Sequence, residues 1–222
     1  MRILITNDDG INSDGIVRLA KAAKEFGEVW VVAPETQRSA ASHSITLHSA
    51  IDIYPCEDFP IDGVHAYYCS GTPGDCVRVG GLNVMPKKPD LVLSGINFGY
   101  NVASDIQYSA TCGAAFEAAF QGYHAIALSE GACDCHEVTD KYIKQVFSRG
   151  IHLLRWPLQG WRPHYETYRG VVQQERDAHL PWQGQVPRQH PRRCRCGSAR
   201  CLRNRLGFVE REMISSETLT AI

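Results

Sequence analysis

Short runs of consecutive apolar residues alternate with amphipathic stretches along the first two-thirds of the chain. Arg2–Thr6 (RILIT) is one such run, stopped by the turn residues Asn7, Asp8, Asp9 and Gly10, and it predicts a strand buried on both faces. From Asp14 onward Ile16, Leu19, Ala20 and Ala23 recur at helical spacing until Gly27 closes the segment. Residues 29–33 (VWVVA) predict a second buried strand, ended by Pro34, and residues 45–47 and 51–54 predict two half-buried strands. His65–Cys69 predicts another. Thr72, Pro73 and Asp75 then spell a helix start, with Thr72 as N-cap, Pro73 in the first turn and Asp75 completing a capping box. Residues 91–94 (LVLS) predict a strand ending in Gly95, Ile96 and Asn97, residues 113–121 a helix, and residues 125–128 (AIAL) a strand. The last clear helix is expected from about His136 to Trp156. Near-continuous apolar strands alternating with helices predict the α/β class, a mostly parallel sheet covered by helices on both faces. The order of the strands is not legible.

The overall composition narrows the function classes. At 222 residues the chain is long enough for one large domain, and 44% apolar residues suffice for a core. A net charge of −1 excludes a nucleic-acid binder held by bulk charge, so nucleic acid is not an expected partner. No run approaches the roughly 18 apolar residues of a membrane span, and MRILITNDDG lacks the pattern of a secretory leader. A cytoplasmic location without membrane contact is expected, with the nine cysteines as reduced thiols. The average hides a division, however. Residues 1–150 hold 11 basic against 18 acidic residues, whereas residues 151–222 hold 12 Arg, no Lys and 6 acids. Within 155–205 there is no Ile, Phe, Met or Lys, and the apolar residues follow neither strand nor helix spacing. Two parts are therefore expected: an α/β domain over 1–154 and a divergent, Arg-rich, poorly ordered segment over 155–222. Arg without Lys, with Pro, Gln, His, Trp and Cys, is what an out-of-frame reading of a GC-rich gene tends to produce.

The candidate chemistry gathers at strand ends. Asp8 and Asp9 follow the first strand, where ligands bind in open α/β sheets. Adjacent carboxylates repel unless a cation compensates, and oxygen donors suit Mg²⁺ or Mn²⁺; the bland reading of Asn-Asp-Asp-Gly is a polar turn. Neither register of an EF-hand loop fits this segment. The second strand is followed by Ser39, Ser42, His43 and Ser44, and the LVLS strand by Asn97, Gly99 and Asn101. Together three such ends favour a metal site over three unrelated turns. His43 is either a proton donor to a leaving group or a solvated loop residue. Neither Cys133, Cys135 and His136 nor Cys194, Cys196 and Cys201 has the spacing of a zinc site. The GTPGDC run lacks the Gly-Lys-Ser/Thr end of an ATP-binding loop.

The segments ILITNDDGINSDGI, VVAPETQRSAASHSIT, GTPGDCV, LVLSGINFGYN and YSATCGAAFEAA, in this order, together resemble the SurE (survival protein E) family of metal-dependent nucleotidases. The resemblance covers about residues 1–150. It implies a Rossmann-like phosphatase hydrolysing nucleoside monophosphates at the 5′ or 3′ phosphate, with short polyphosphate as a further substrate of some members. It further implies one divalent ion per subunit, Mg²⁺ or Mn²⁺, held by Asp8, Asp9, Ser39 and Asn97. By the same resemblance Asp8, Asp9 and Asn97 would carry the catalysis, Ser109 and Thr111 would contact phosphate, and the C-terminal part would support a homodimer or higher oligomer. In the implied reaction the cation neutralises the phosphate and polarises an attacking water, while Asn97, Ser39 and backbone N–H groups of residues 95–99 hold the phosphate oxygens. The chain departs from the family at Ala110, where a glycine is expected, and at Cys112. Ala110 could shift a phosphate-cradling loop, and Thr111 has a second reading as a helix N-cap. The competing reading of the whole is a catalytically weak nucleotide-binding or interaction protein, because its C-terminal third is damaged. A further one is an RNA-binding adaptor, carried only by the Arg-rich segment.

Limited proteolysis tests the division of the chain. It is expected to trim the protein rapidly to a fragment ending near residues 150–160; a compact, resistant full-length chain running as a tight dimer would refute it.

Overall fold

The computed structural model describes residues 1–154 and 220–221. The expectations made for 155–205, and nearly all of those for 155–222, lie outside the described residues.

Strand β1 (Arg2–Thr6) is central. It is followed by α1 (Asp14–Ala23), β2 (Glu28–Pro34), β3 (Ile53–Pro55), β4 (His65–Cys69) and α2 (Pro73–Val79), which runs into a π-helical turn over Gly80–Val84. Next come β5 (Leu91–Phe98), the short α3 (Asp105–Tyr108), α4 (Ala110–Phe120), β6 (Ala125–Glu130) and α5 (Glu137–Leu154). A two-residue strand, β7 (Thr220–Ala221), closes the sheet, whose order is β3-β4-β2-β1-β5-β6-β7. The five inner strands are parallel; β3 and β7 join antiparallel at the two edges. Among the described residues no helix is long and apolar enough to cross a membrane.

Alternation along the buried strands divides the core in two. Ile3 and Ile5 of β1 face Ile16, Leu19 and Ala20 of α1 and Phe147 of α5. Leu4 faces the other way, with Val32 and Val92, onto Val77 of α2 and Ala114 and Ala118 of α4. Each fully buried aliphatic side chain contributes about 1.5–3 kcal/mol, so these layers outweigh exposed pairs such as Arg2–Asp90, worth at most about 1 kcal/mol. One ion network is better shielded. Arg18 of α1, 13% exposed, reaches Glu130 of β6 at 2.6 Å and Asp140 of α5 at 2.7 Å, tying three elements together.

Three local differences from the sequence reading have physical causes. Residues 45–47 form no strand. The Thr46 N–H donates to Asp75 Oδ1 at 3.0 Å and its hydroxyl to Asp75 Oδ2 at 2.6 Å, so a carboxylate takes the place of a neighbouring strand. Strand β5 continues four residues beyond Ser94, to Phe98, and its register with β6 shifts between Ser94 and Asn97. Gly95 allows this shift: its φ is +139°, and a Cβ there would stand 2.4 Å from the Leu128 carbonyl oxygen. Helix α4 starts three residues early because Ser109 caps it, accepting the Cys112 N–H at 3.0 Å. Thr111 is thus inside the helix, not its N-cap. Ala110 is the first helical residue, where its methyl group meets no left-handed backbone.

The chain leaves β1 for β2 on one side, while β5 lies on the other. A crevice therefore opens at the carboxyl ends of β1 and β5, where the connections diverge.

Asp75 provides a test of the fold's polar joints. Burial raises its pKa, but hydrogen bonds from Thr46 and Thr72 outweigh burial and hold the carboxyl below its ordinary value of 3.8. A depressed folded value means stabilisation present above the unfolded pKa and lost as pH falls through the folded one. Asp75→Asn is expected to lower stability at pH 7 by about 1 kcal/mol in urea unfolding, with the gap closing below about pH 4.

Candidate active site

The turn after β1 delivers Asp8 and Asp9 into the crevice in different environments. Asp8 is 3% exposed, and its Oδ1 accepts the Thr111 hydroxyl at 2.6 Å. Burial pushes its carboxyl up to about 6; the Thr111 bond works against this and the neighbouring Asp9 charge adds to it. Asp9 is half-buried: its Oδ2 accepts the Phe98 N–H at 3.1 Å and its Oδ1 the Gln37 amide at 3.2 Å. Asn7 braces the turn beneath them, donating to the Gly10 carbonyl at 2.9 Å and to Ser13 Oγ at 2.7 Å.

Two further strand ends reach the same place. The Asn97 amide nitrogen donates to the Gly99 carbonyl at 2.7 Å, leaving its Oδ1 on the side of Thr111, 3.4 Å from that hydroxyl. One hydroxyl on α4 thus lies between oxygens of Asp8 and Asn97. From the β2 end, the Arg38 N–H donates to the Asp8 carbonyl at 2.7 Å, which fixes Ser39, an exposed residue, one position away. The structure therefore brings Asp8, Asp9, Asn97 and Thr111 together and sets the Ser39 backbone alongside.

The donors available here are two carboxylates, an amide oxygen and hydroxyls. Among the described residues no Lys, Arg or His forms an ion pair with Asp8 or Asp9. A hard divalent cation fits such an all-oxygen set and would reverse the upward push on Asp8.

Some expected roles are already engaged. The Phe98 N–H is bonded to Asp9 and the Gly99 N–H to the Glu130 carbonyl, so these two backbone donors are not free for phosphate. Ser109 Oγ caps α4 and the Thr111 hydroxyl faces Asp8. His43 is exposed, as a loop residue, but not free: its Nε2 lies 2.7 Å from Glu117 Oε2. Asn101 is buried near β6, where its N–H donates to Ser129 Oγ at 3.0 Å. Sequence reasoning missed Gln37 and Glu117. The signal for Glu117 was present, one charge inside the apolar run GAAFEAAF. A depression of about 400 Å³ lined by Met1, Pro89, Asp90, Tyr123 and His124 lies at the opposite, amino ends of the strands and holds none of the candidate residues.

The loop carrying Ser39 is strained. Ala40 has φ +58° and Ser42 φ +54°, left-handed values that cost a residue with a Cβ about 1–2 kcal/mol each.

Comparison with known proteins finds similarity to SurE proteins. A sequence profile described as Survival protein SurE matches residues 3–177, further along the chain than the motifs reach. The chain is 41% identical over 187 residues to the 5′-nucleotidase SurE of Methanopyrus kandleri, covering 84% of this chain and 70% of that protein. It is 48% identical over 157 residues to the 5′-nucleotidase SurE of a Thermoanaerobacter species, covering 68% of this chain and 62% of the relative. The crystal structure of the SurE protein from Aquifex aeolicus superposes with a TM-score of 0.59 at 36% identity, over 67% of this chain and 59% of the other. The chain thus spans about two-thirds of the length of such relatives.

The strain at Ala40 is open to measurement. Ala40→Gly is expected to stabilise the protein by about 1 kcal/mol, read as a raised urea midpoint at unchanged slope.

Proposed function

The chain belongs to the SurE family, and on that premise we propose that it is a metal-dependent phosphomonoesterase releasing phosphate from nucleoside monophosphates. The observation that carries this reading is the meeting of Asp8, Asp9 and Asn97 around one Thr111 hydroxyl, where the connections from β1 and β5 diverge. Asp8, Asp9, Ser39 and Asn97 would hold one divalent ion, Mg²⁺ or Mn²⁺. That ion, when bound, supplies charge neutralisation at the phosphate and polarisation of the attacking water.

The chain's own residues set the geometry. Thr111 orients the Asp8 carboxylate through its hydroxyl, and the Phe98 N–H and Gln37 amide orient that of Asp9. The Asn97 amide nitrogen donates to the Gly99 carbonyl, which orients its oxygen toward Thr111. With the Phe98 and Gly99 N–H groups engaged, phosphate oxygens would be met by the Ser39 hydroxyl and by the second N–H of the Asn97 amide. Ser109 and Thr111 then act by building the helix end and the cation pocket. All four oxygen-donor residues are present in this chain, which favours turnover over nucleotide binding alone. A homodimer or higher oligomer is the assembly we infer, on family grounds. The buried thiols Cys56, Cys69, Cys76 and Cys112, none of them in a disulfide, fit a reducing cytoplasm.

Phosphate release from a nucleoside monophosphate panel tests the reading. Monophosphates are expected to be hydrolysed in preference to triphosphates, and EDTA should abolish the reaction until Mg²⁺ or Mn²⁺ is restored. Asp8→Asn and Asp9→Asn should each lower the rate by about a hundredfold or more with far-UV circular dichroism unchanged. Full activity in both variants, or in metal-free protein, would overturn the mechanism.

A further inference from the structure

Glu117 is 3% exposed on a helix of otherwise almost wholly apolar residues, and the reaction above makes no use of it. Its Oε1 accepts from Arg78 at 3.1 Å and from Gln121 at 2.7 Å, which ties α2 to α4. Its Oε2 lies 2.7 Å from His43 Nε2, and His43 belongs to a different structure, the loop over residues 38–44. At the other end of that loop the Arg38 N–H is bonded to the Asp8 carbonyl. Between these anchors lie Ala40 and Ser42, both left-handed.

The loop is drawn tightly onto α4. A Cβ on Gly113 would stand 2.3 Å from the Ser42 carbonyl oxygen, so only glycine permits the approach. The Ser42 hydroxyl donates to the Gln107 carbonyl at 2.6 Å and its N–H to the Tyr108 carbonyl at 3.0 Å. Those bonds join neutral groups, and a bond to a buried carboxylate is stronger. A strained backbone persists only where its surroundings over-determine it.

We propose that Glu117 is a positioning residue: through His43 it latches the strained loop 38–44 onto α4 and so keeps Ser39 alongside Asp8. The significance of Ser39 rests on the reading of the site as a cation site, whereas the latch itself does not.

The bond between Arg38 and Ser39 reports on the latch, because trypsin cuts it only when the loop opens. In the full-length protein the rate of release of fragment 1–38, followed by mass spectrometry, measures that opening. His43→Ala removes the loop's partner while leaving Glu117 with Arg78 and Gln121. It is expected to release the fragment about tenfold faster than wild type. His43→Gln, whose amide reaches toward the same carboxylate, should restore slow release. Glu117→Ala should match His43→Ala, and the double variant should be no faster than either; if Glu117→Ala does not fold, the two His43 variants decide. Release from His43→Ala at the wild-type rate would overturn the latch. Mn²⁺ titration calorimetry tests the link to Ser39: His43→Ala should bind Mn²⁺ about tenfold more weakly. Faster release with unchanged Mn²⁺ affinity would overturn that link. A wild-type protein that releases no phosphate refutes the nucleotidase reading, and the trypsin comparison still decides the latch.

Discussion

Asp8 and Asp9 carry adjacent carboxylates at the end of a strand, and Asp8 is almost completely shielded from water. Burial of the Asp8 charge is the larger cost, and the neighbouring Asp9 charge adds to it. Nothing in sheet packing demands such a pair. Its surroundings make sense as a response to it: a hydroxyl from α4, a backbone N–H from β5 and an amide from the β2 loop each point a positive dipole end at a carboxylate oxygen. These dipoles do not cancel the cost: burial, with a smaller addition from the Asp9 charge, still leaves the Asp8 carboxyl at about 6. On the proposed reading a cation would complete what they begin, at strand ends that the sheet order brings to one crevice.

The rest of the molecule holds that crevice in register. Two apolar layers fix β1 between α1 and α5 on one face and α2 and α4 on the other. Two buried acids, Asp75 and Glu117, grip neighbouring points of the polar segment after β2, at Thr46 and His43. That segment has no ladder of its own. It is held by side chains, and its left-handed residues show that the holding acts against the backbone's own preference.

Where local chemistry decides structure, the sequence was legible. β1 and β4 run as their apolar patterns predict, and the capping box of Thr72 and Asp75 forms as its spacing requires. Legibility failed where a distant group intervened. Residues 45–47 have a strand-like pattern, but Asp75, 29 positions from Thr46, takes the hydrogen bonds a strand would need. The bond from Thr111 to Asp8 spans 103 positions, so nothing local to either residue announces it. The site followed the same rule. Asp8, Asp9 and Asn97 are candidates from sequence because strand ends are where ligands bind, whereas the contacts of Thr111, Gln37 and Glu117 emerge only once the helices are in place.

The central claim is that Asp8, Asp9 and Asn97 form one cation site, and anomalous diffraction from Mn²⁺-soaked crystals tests it most directly. The account predicts a single strong peak about 2.0–2.6 Å from carboxylate oxygens of Asp8 and Asp9 and from Asn97 Oδ1. No peak there at saturating Mn²⁺, or one bound elsewhere without Asp8, would contradict it.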